Sequence, residues 1–226
     1  MRRSRRLKQG LKPPPWNEST LCWGPGREMG IEDVVGLDGP WTETEKLLIP
    51  KGLFHAIALS SNIDLKRKFD LVISLEVGEH LEEETAPRFV ENLIRHGDVI
   101  LFGAAIPLQG GFRHLNEKWQ SYWRRLFESR GYRAFDVVRP VFWNDAEIHY
   151  WYRQNCLLYV SESNEQVLAS ALELSRGVYD STAPLDLVHP EKYHMMVSYE
   201  AIELRRLFPK LPKAVFRAVR RKLTRR

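Results

Sequence analysis

Apolar positions along the chain gather in short runs bounded by turn residues, and these runs alternate with segments of helical period. Residues 34–37 form a short apolar run that ends at Asp38-Gly39, which predicts a strand followed by a turn. A weaker strand is predicted over 54–59. The run FDLVISL at 69–75 is the strongest strand signal, compact enough for burial on both faces of a parallel sheet. A helix follows, with Glu82, Glu83 and Glu84 ahead of it and Pro87 in its first turn, both favoured at a helix N-terminus. Phe89, Val90, Leu93 and Ile94 give its apolar stripe, and Gly97 ends it.

Residues 99–102 predict another buried strand, and Gly110-Gly111 a loop. Residues 116–130 predict a helix whose apolar face carries Trp119, Tyr122, Trp123, Leu126 and Phe127, stopped by Gly131. Asn116 and Glu117 are placed at its start. The last strands fall at 134–138 and 156–160. An aromatic segment with Trp143, Tyr150, Trp151 and Tyr152 lies between them and is expected to pack on the sheet. No crossover helix of ordinary size separates these two strands, so they should pair antiparallel. The whole pattern predicts an open, mostly parallel α/β sheet with an antiparallel edge pair at its C-terminal end. Ligands in such sheets sit beyond the carboxyl ends of the strands, which directs attention to Asp38, to Glu76 onward and to the loop after Phe102.

With 226 residues the chain suffices for one well-filled domain with additions. Two cysteines, Cys22 and Cys156, form no disulfide framework, and a reduced, cytoplasmic setting is expected. No apolar run is long enough to span a bilayer. The formal net charge of +5 is unevenly placed. Arg2, Arg3, Arg5, Arg6, Lys8 and Lys12 crowd the start, and no acidic residue follows Glu203. The basicity therefore belongs to the ends. Three parts are expected: a basic, Pro-rich arm (1–18), an α/β domain (19–162) and a helical extension with a basic amphipathic tail (163–226). The tail carries Leu204, Leu207, Leu211, Val215, Val219 and Leu223 near helical period, broken at Pro209 and Pro212. It can pack on its own domain or rest on an anionic membrane surface as a peripheral contact. Nucleic acid is less favoured, since aromatic residues for stacking are sparse there.

The string FDLVISLEVGEHL (69–81) resembles the strand-and-turn signature of class I S-adenosylmethionine-dependent methyltransferases. EDVVGLDG (32–39), GDVILFGAAIP (97–107), GGFRHLNEKWQSYWRRLFESRGY (110–132) and WYRQNCLLYV (151–160) are similar to further pieces of that family. The likeness spans about residues 30–160 and implies a Rossmann-like sheet. It also implies S-adenosylmethionine as cofactor, with Asp38 on the ribose, Leu75 and Glu76 bordering the cofactor, and Gly24 and Gly26 in the Gly-rich turn. The chain departs from the family there. Seven residues between Gly26 and Val34 are too few for a crossover helix, so the first strand-helix unit should be truncated.

Glu76, Glu79 and His80 follow the strongest strand with i, i+3, i+4 spacing. Similar E-x-x-E-H strings in small-RNA and ubiquinone-pathway O-methyltransferases hold a divalent metal together with a further histidine. His114 is the candidate for that place here. Two readings stand. In one, Glu76, Glu79, His80 and His114 bind Mg²⁺, Mn²⁺ or Zn²⁺, and the metal activates an acceptor hydroxyl. In the other, the same residues line a pocket, with His80 as a general base and Glu79 and His114 beside it. The expected activity is O-methylation of a small-molecule or sugar-like acceptor. The alternatives are an impaired domain of the same fold acting as an interaction module, and an RNA-directed methyltransferase.

Overall fold

The computed structural model describes residues 30–47, 49–176 and 184–207. Gly24, Gly26, the basic arm, the expected truncation of the first unit and most of the basic tail lie outside the described residues. Those described form an open α/β arrangement of six strands and six α-helices. Strands β1 (Gly36–Asp38) and β2 (Phe54–Ala56) pair parallel as a two-stranded sheet. A second sheet holds β3 (Val72–Leu75), β4 (Val99–Gly103), β5 (Tyr132–Phe135) and β6 (Leu157–Ser161) in the order β3-β4-β6-β5. Strands β3 and β4 run parallel, and β6 is antiparallel to both of its neighbours.

The antiparallel pair expected at the C-terminal end is present, with β6 inserted between β4 and β5 so that β5 forms the edge. Only short helices, α3 (Arg139–Phe142) and α4 (Tyr150–Asn155), separate β5 from β6 in sequence. Neither is long enough for a crossover, so the chain returns antiparallel. Two expectations are corrected. The strands form two hydrogen-bonded sheets among the described residues rather than one. Strand β3 is shorter than the apolar run that announced it. Phe69 makes only an isolated bridge to Gly97, and β3 lies at the sheet edge with Ile73 exposed.

Alternation along the central strands fills both faces of the larger sheet. On one face Ile100, Phe102, Leu157 and Tyr159 meet α1 (Ala86–His96) and α2 (Gln120–Glu128) through Phe89, Val90, Trp123 and Phe127. Phe127 stacks on Tyr159 with ring centroids 4.0 Å apart, and Phe102 meets Trp123 at 4.9 Å. On the other face Phe135 and Val160 pack against Ala171 of α5 (Glu165–Leu174). Helix α2 begins at Gln120, later than its apolar stripe suggested, and Trp119 precedes it, partly exposed. The last helix, α6, spans Pro190–Leu207. None of the helices described is long and apolar enough to cross a membrane.

Candidate functional site

Strands β3 and β4 are parallel neighbours, so the segments that leave their carboxyl ends emerge side by side. The first is a single 3-10 turn, Gly78–His80. The second is the long connection from Ala104 to Trp119. Backbone bonds lock them together. The amides of Leu115 and Asn116 both donate to the carbonyl of Glu79, at 2.7 and 3.0 Å. The turn also rests on the core, because the side of Gly78 lies against the Trp123 ring. In consequence Glu79, His80 and His114 converge, with one potential ligand atom from each within 4.8 Å of the others. Glu79 is fully buried, His114 half-buried, and His80 reaches solvent. The two imidazole rings meet edge to face at 5.0 Å.

The tautomers follow from the partners. His80 Nδ1 faces the carbonyl of Arg113 at 3.3 Å, an acceptor only, so Nδ1 carries the proton. His114 Nδ1 faces Glu117 Oε1 at 2.9 Å and donates to it. In the neutral rings both Nε2 atoms therefore keep a lone pair. Burial, and then the neighbouring His114, hold the His80 imidazolium below its ordinary pKa range, against the opposing pull of the Arg113 carbonyl and Asp38. One carboxylate and two neutral imidazoles form an O/N donor set that suits a divalent cation of intermediate hardness. The residues present thus fit such an ion.

Glu76 stands outside this convergence. Its backbone continues the β3–β4 ladder by one bond, donating to Gly103 O at 2.8 Å, and then turns into the left-handed region with φ 53°. A non-glycine residue held there stores roughly 1–3 kcal/mol of strain. The turn carries the carboxyl inward. Asn155 Nδ2 donates to Oε1 at 2.8 Å, and Gln109 Nε2 donates to Oε2 at 2.7 Å. Burial raises the pKa of Glu76, and the hydrogen bonds from Asn155 and Gln109 and the one with Glu79 oppose the rise. Glu76 and Glu79 thus form a buried, hydrogen-bonded carboxyl pair in which burial favours the protonated form of Glu76.

The other expected site residues are dispersed. Asp38 ends β1, and its Oδ1 accepts the amide of Gly39 at 2.7 Å, the turn role that Asp-Gly suggests, while its charge still reaches His80. Leu75 closes β3, half-buried. The aromatic segment also meets histidines. Trp143 sits 4.7 Å from His189, and Trp151 stacks on His149 at 4.3 Å. Cys156 is buried as a small apolar residue would be.

Sequence reasoning missed three groups. Gln109, Asn155 and Gln154 form the buried amide cluster behind Glu76. Their only sequence signal is a polar residue placed directly before a loop or before a buried strand. Glu117, expected to open a helix, instead turns back on its loop. Asn116 is almost fully buried, and neither polar atom of its side chain has a hydrogen-bond partner. Compared with models of protein families, with curated proteins and with solved structures, the chain matches none.

Proposed function

We propose that this chain is an S-adenosylmethionine-dependent methyltransferase of Rossmann-like fold that acts on a hydroxyl oxygen of a small-molecule or sugar-like acceptor. One observation carries the reading: Glu79, His80 and His114 converge at the carboxyl ends of two adjacent parallel strands, where open α/β sheets place their ligands. The reversed strand β6 between β4 and β5 suits the sheet that the sequence resemblance implies.

Glu79, His80 and His114 are the residues that would hold a divalent ion. Bound there, such an ion supplies a lowered pKa for the acceptor hydroxyl, and the cofactor supplies an electrophilic methyl group. The chain's own residues do the rest. Arg113 O and Glu117 fix the tautomers that leave both Nε2 atoms unprotonated. Asn155 and Gln109 hold Glu76 in place under Glu79. Asp38, at the end of β1, would accept from the ribose hydroxyls. A metal-free variant of the same chemistry uses His80 Nε2 to take the acceptor's proton. The depressed pKa of His80 keeps its ring neutral, which suits either role, as a ligand or as a base of lowered strength.

Calorimetric titration of the full chain with S-adenosylmethionine, with and without Mn²⁺, tests the proposal. Saturable cofactor binding is expected, together with Mn²⁺ binding that His114→Ala weakens at least tenfold. Absence of cofactor binding at millimolar concentration overturns the activity. Cofactor binding without Mn²⁺ binding selects the His80 base.

A further inference from the structure

Three backbone or ring N–H groups converge on one side chain beside the site. Glu117 Oε1 accepts from His114 Nδ1 at 2.9 Å and from the Gly110 amide at 2.7 Å, and Oε2 accepts from the Leu108 amide at 2.7 Å. Its carboxylate is largely sheltered, with side-chain exposure of 19%. The loop it gathers is strained: Leu108 and Arg113 both have positive φ, at 65° and 59°. Lys192 of α6, itself buried, donates to Gln109 O at 2.7 Å and its charge reaches Glu117.

We infer that Glu117 is a positioning residue that sets the tautomer and orientation of His114, and so selects the nitrogen that His114 offers to a divalent ion. The inference rests on the proposed reading of Glu79, His80 and His114 as an ion-binding group. Its physical content is specific. An unconstrained neutral imidazole favours the proton on Nε2. A carboxylate on Nδ1 reverses that preference, fixes the ring plane and raises the basicity of Nε2. The same carboxylate holds the amides of Leu108 and Gly110, so the loop cannot drift away from the ring it orients. Gly111 completes the fit, since a Cβ there would collide with the His114 ring.

Substitutions separate positioning from loop support. Glu117→Met keeps the length and removes every acceptor. Glu117→Gln can turn its carbonyl toward His114 and Gly110, two donors, and give up only Leu108. The ¹⁵N shifts of the His114 ring are read in the metal-free full chain at about pH 8, where an ordinary imidazole is neutral, and Mn²⁺ affinity is measured on the same samples. The wild type is expected to show Nδ1–H. Glu117→Met is expected to move the proton to Nε2 and to weaken Mn²⁺ binding by about 10- to 100-fold. Glu117→Gln should restore the Nδ1–H tautomer and most of the affinity. A wild-type His114 protonated on Nε2 overturns the inference without any variant. So does Glu117→Met that keeps the wild-type tautomer, whatever happens to its affinity, since that pattern marks a loop support only. Failure of the wild type to bind Mn²⁺ removes the ion reading, while the tautomer comparison still decides what Glu117 does to His114.

Discussion

Asn116 is the least economical residue of the site. A buried amide without partners forgoes several hydrogen bonds that water would have provided in the unfolded chain. Its backbone is already committed to Glu79 O, so the side chain has no part in joining the two loops. Such groups persist where a site needs them. Asn116→Leu, which keeps the branching and removes both polar atoms, is expected to stabilise the fold by about 1 kcal/mol and to weaken Mn²⁺ binding. Urea denaturation and calorimetry check the two effects, and a lowered unfolding midpoint would show that the amide supports the fold instead. At this scale the sequence was informative where chemistry is tied to spacing. Glu79 and His80 are adjacent, and His114 was found from its place after the neighbouring strand. Glu76 shared the spacing but not the outcome, because a left-handed backbone at one residue redirects its side chain. Nothing in the spacing of residues reports the sign of φ. Gln109, Asn155 and Glu117 were illegible for a related reason: their partners are far away in sequence, or belong to a loop with no period.

Elements were legible in proportion to the regularity of their apolar positions. Helix α1 and strand β4 fall close to their expected places, because Pro87 and Gly97 mark the helix ends and a continuous apolar run marks the strand. Strand β3 was over-read. An apolar run signals burial, but β3 is a sheet edge, and Leu71 and Ile73 are 46% and 40% exposed. Helix α2 was over-read at its start, since Trp119 obeys the helical period with an extended backbone, and Glu117 is held by the loop. The junction between element and site is the 3-10 turn at Gly78–His80. A Cβ on Gly78 would lie 2.9 Å from the Trp123 ring, and that ring is 1% exposed and confined by Phe102. Gly78→Ala is therefore an overpacking change, expected to destabilise by roughly 1–3 kcal/mol. Because the same turn carries Glu79 and His80, Mn²⁺ affinity should fall in the same variant. Thermal unfolding followed by calorimetric titration measures both, and an unchanged midpoint would mean that Trp123 yields at little expense.

At the scale of the whole molecule, the segment after α5 is tied into the back of the site. Arg139, buried at the start of α3, makes a bidentate pair with Asp136 at 2.9 and 2.7 Å and donates to Leu185 O at 2.7 Å and Gln154 O at 3.3 Å. Ser121 holds Asp186 through its amide and hydroxyl, and the His189 amide donates to Gln154 Oε1 at 2.8 Å. Gln154 in turn donates to Gln109 and to Asn155, the two residues that fix Glu76. A chain of hydrogen bonds thus runs from the C-terminal segment, through Arg139 and Gln154, to the buried carboxyl pair. Composition and periodicity set residues 163–226 apart as an extension, because polar tethers of this kind have no hydrophobic signature. Removing the guanidinium tests how tightly the parts are joined. Arg139→Ala would leave the Asp136 carboxylate and the Leu185 carbonyl without their donor, and Gln154 O with Gln120 Nε2 in place of two donors, so a loss of about 3–5 kcal/mol is expected. If the segment is integral, urea unfolding of this variant stays a single transition and its midpoint falls. If the segment were a separate appendage, the loss would be confined to a shallow early transition, with the main one unmoved.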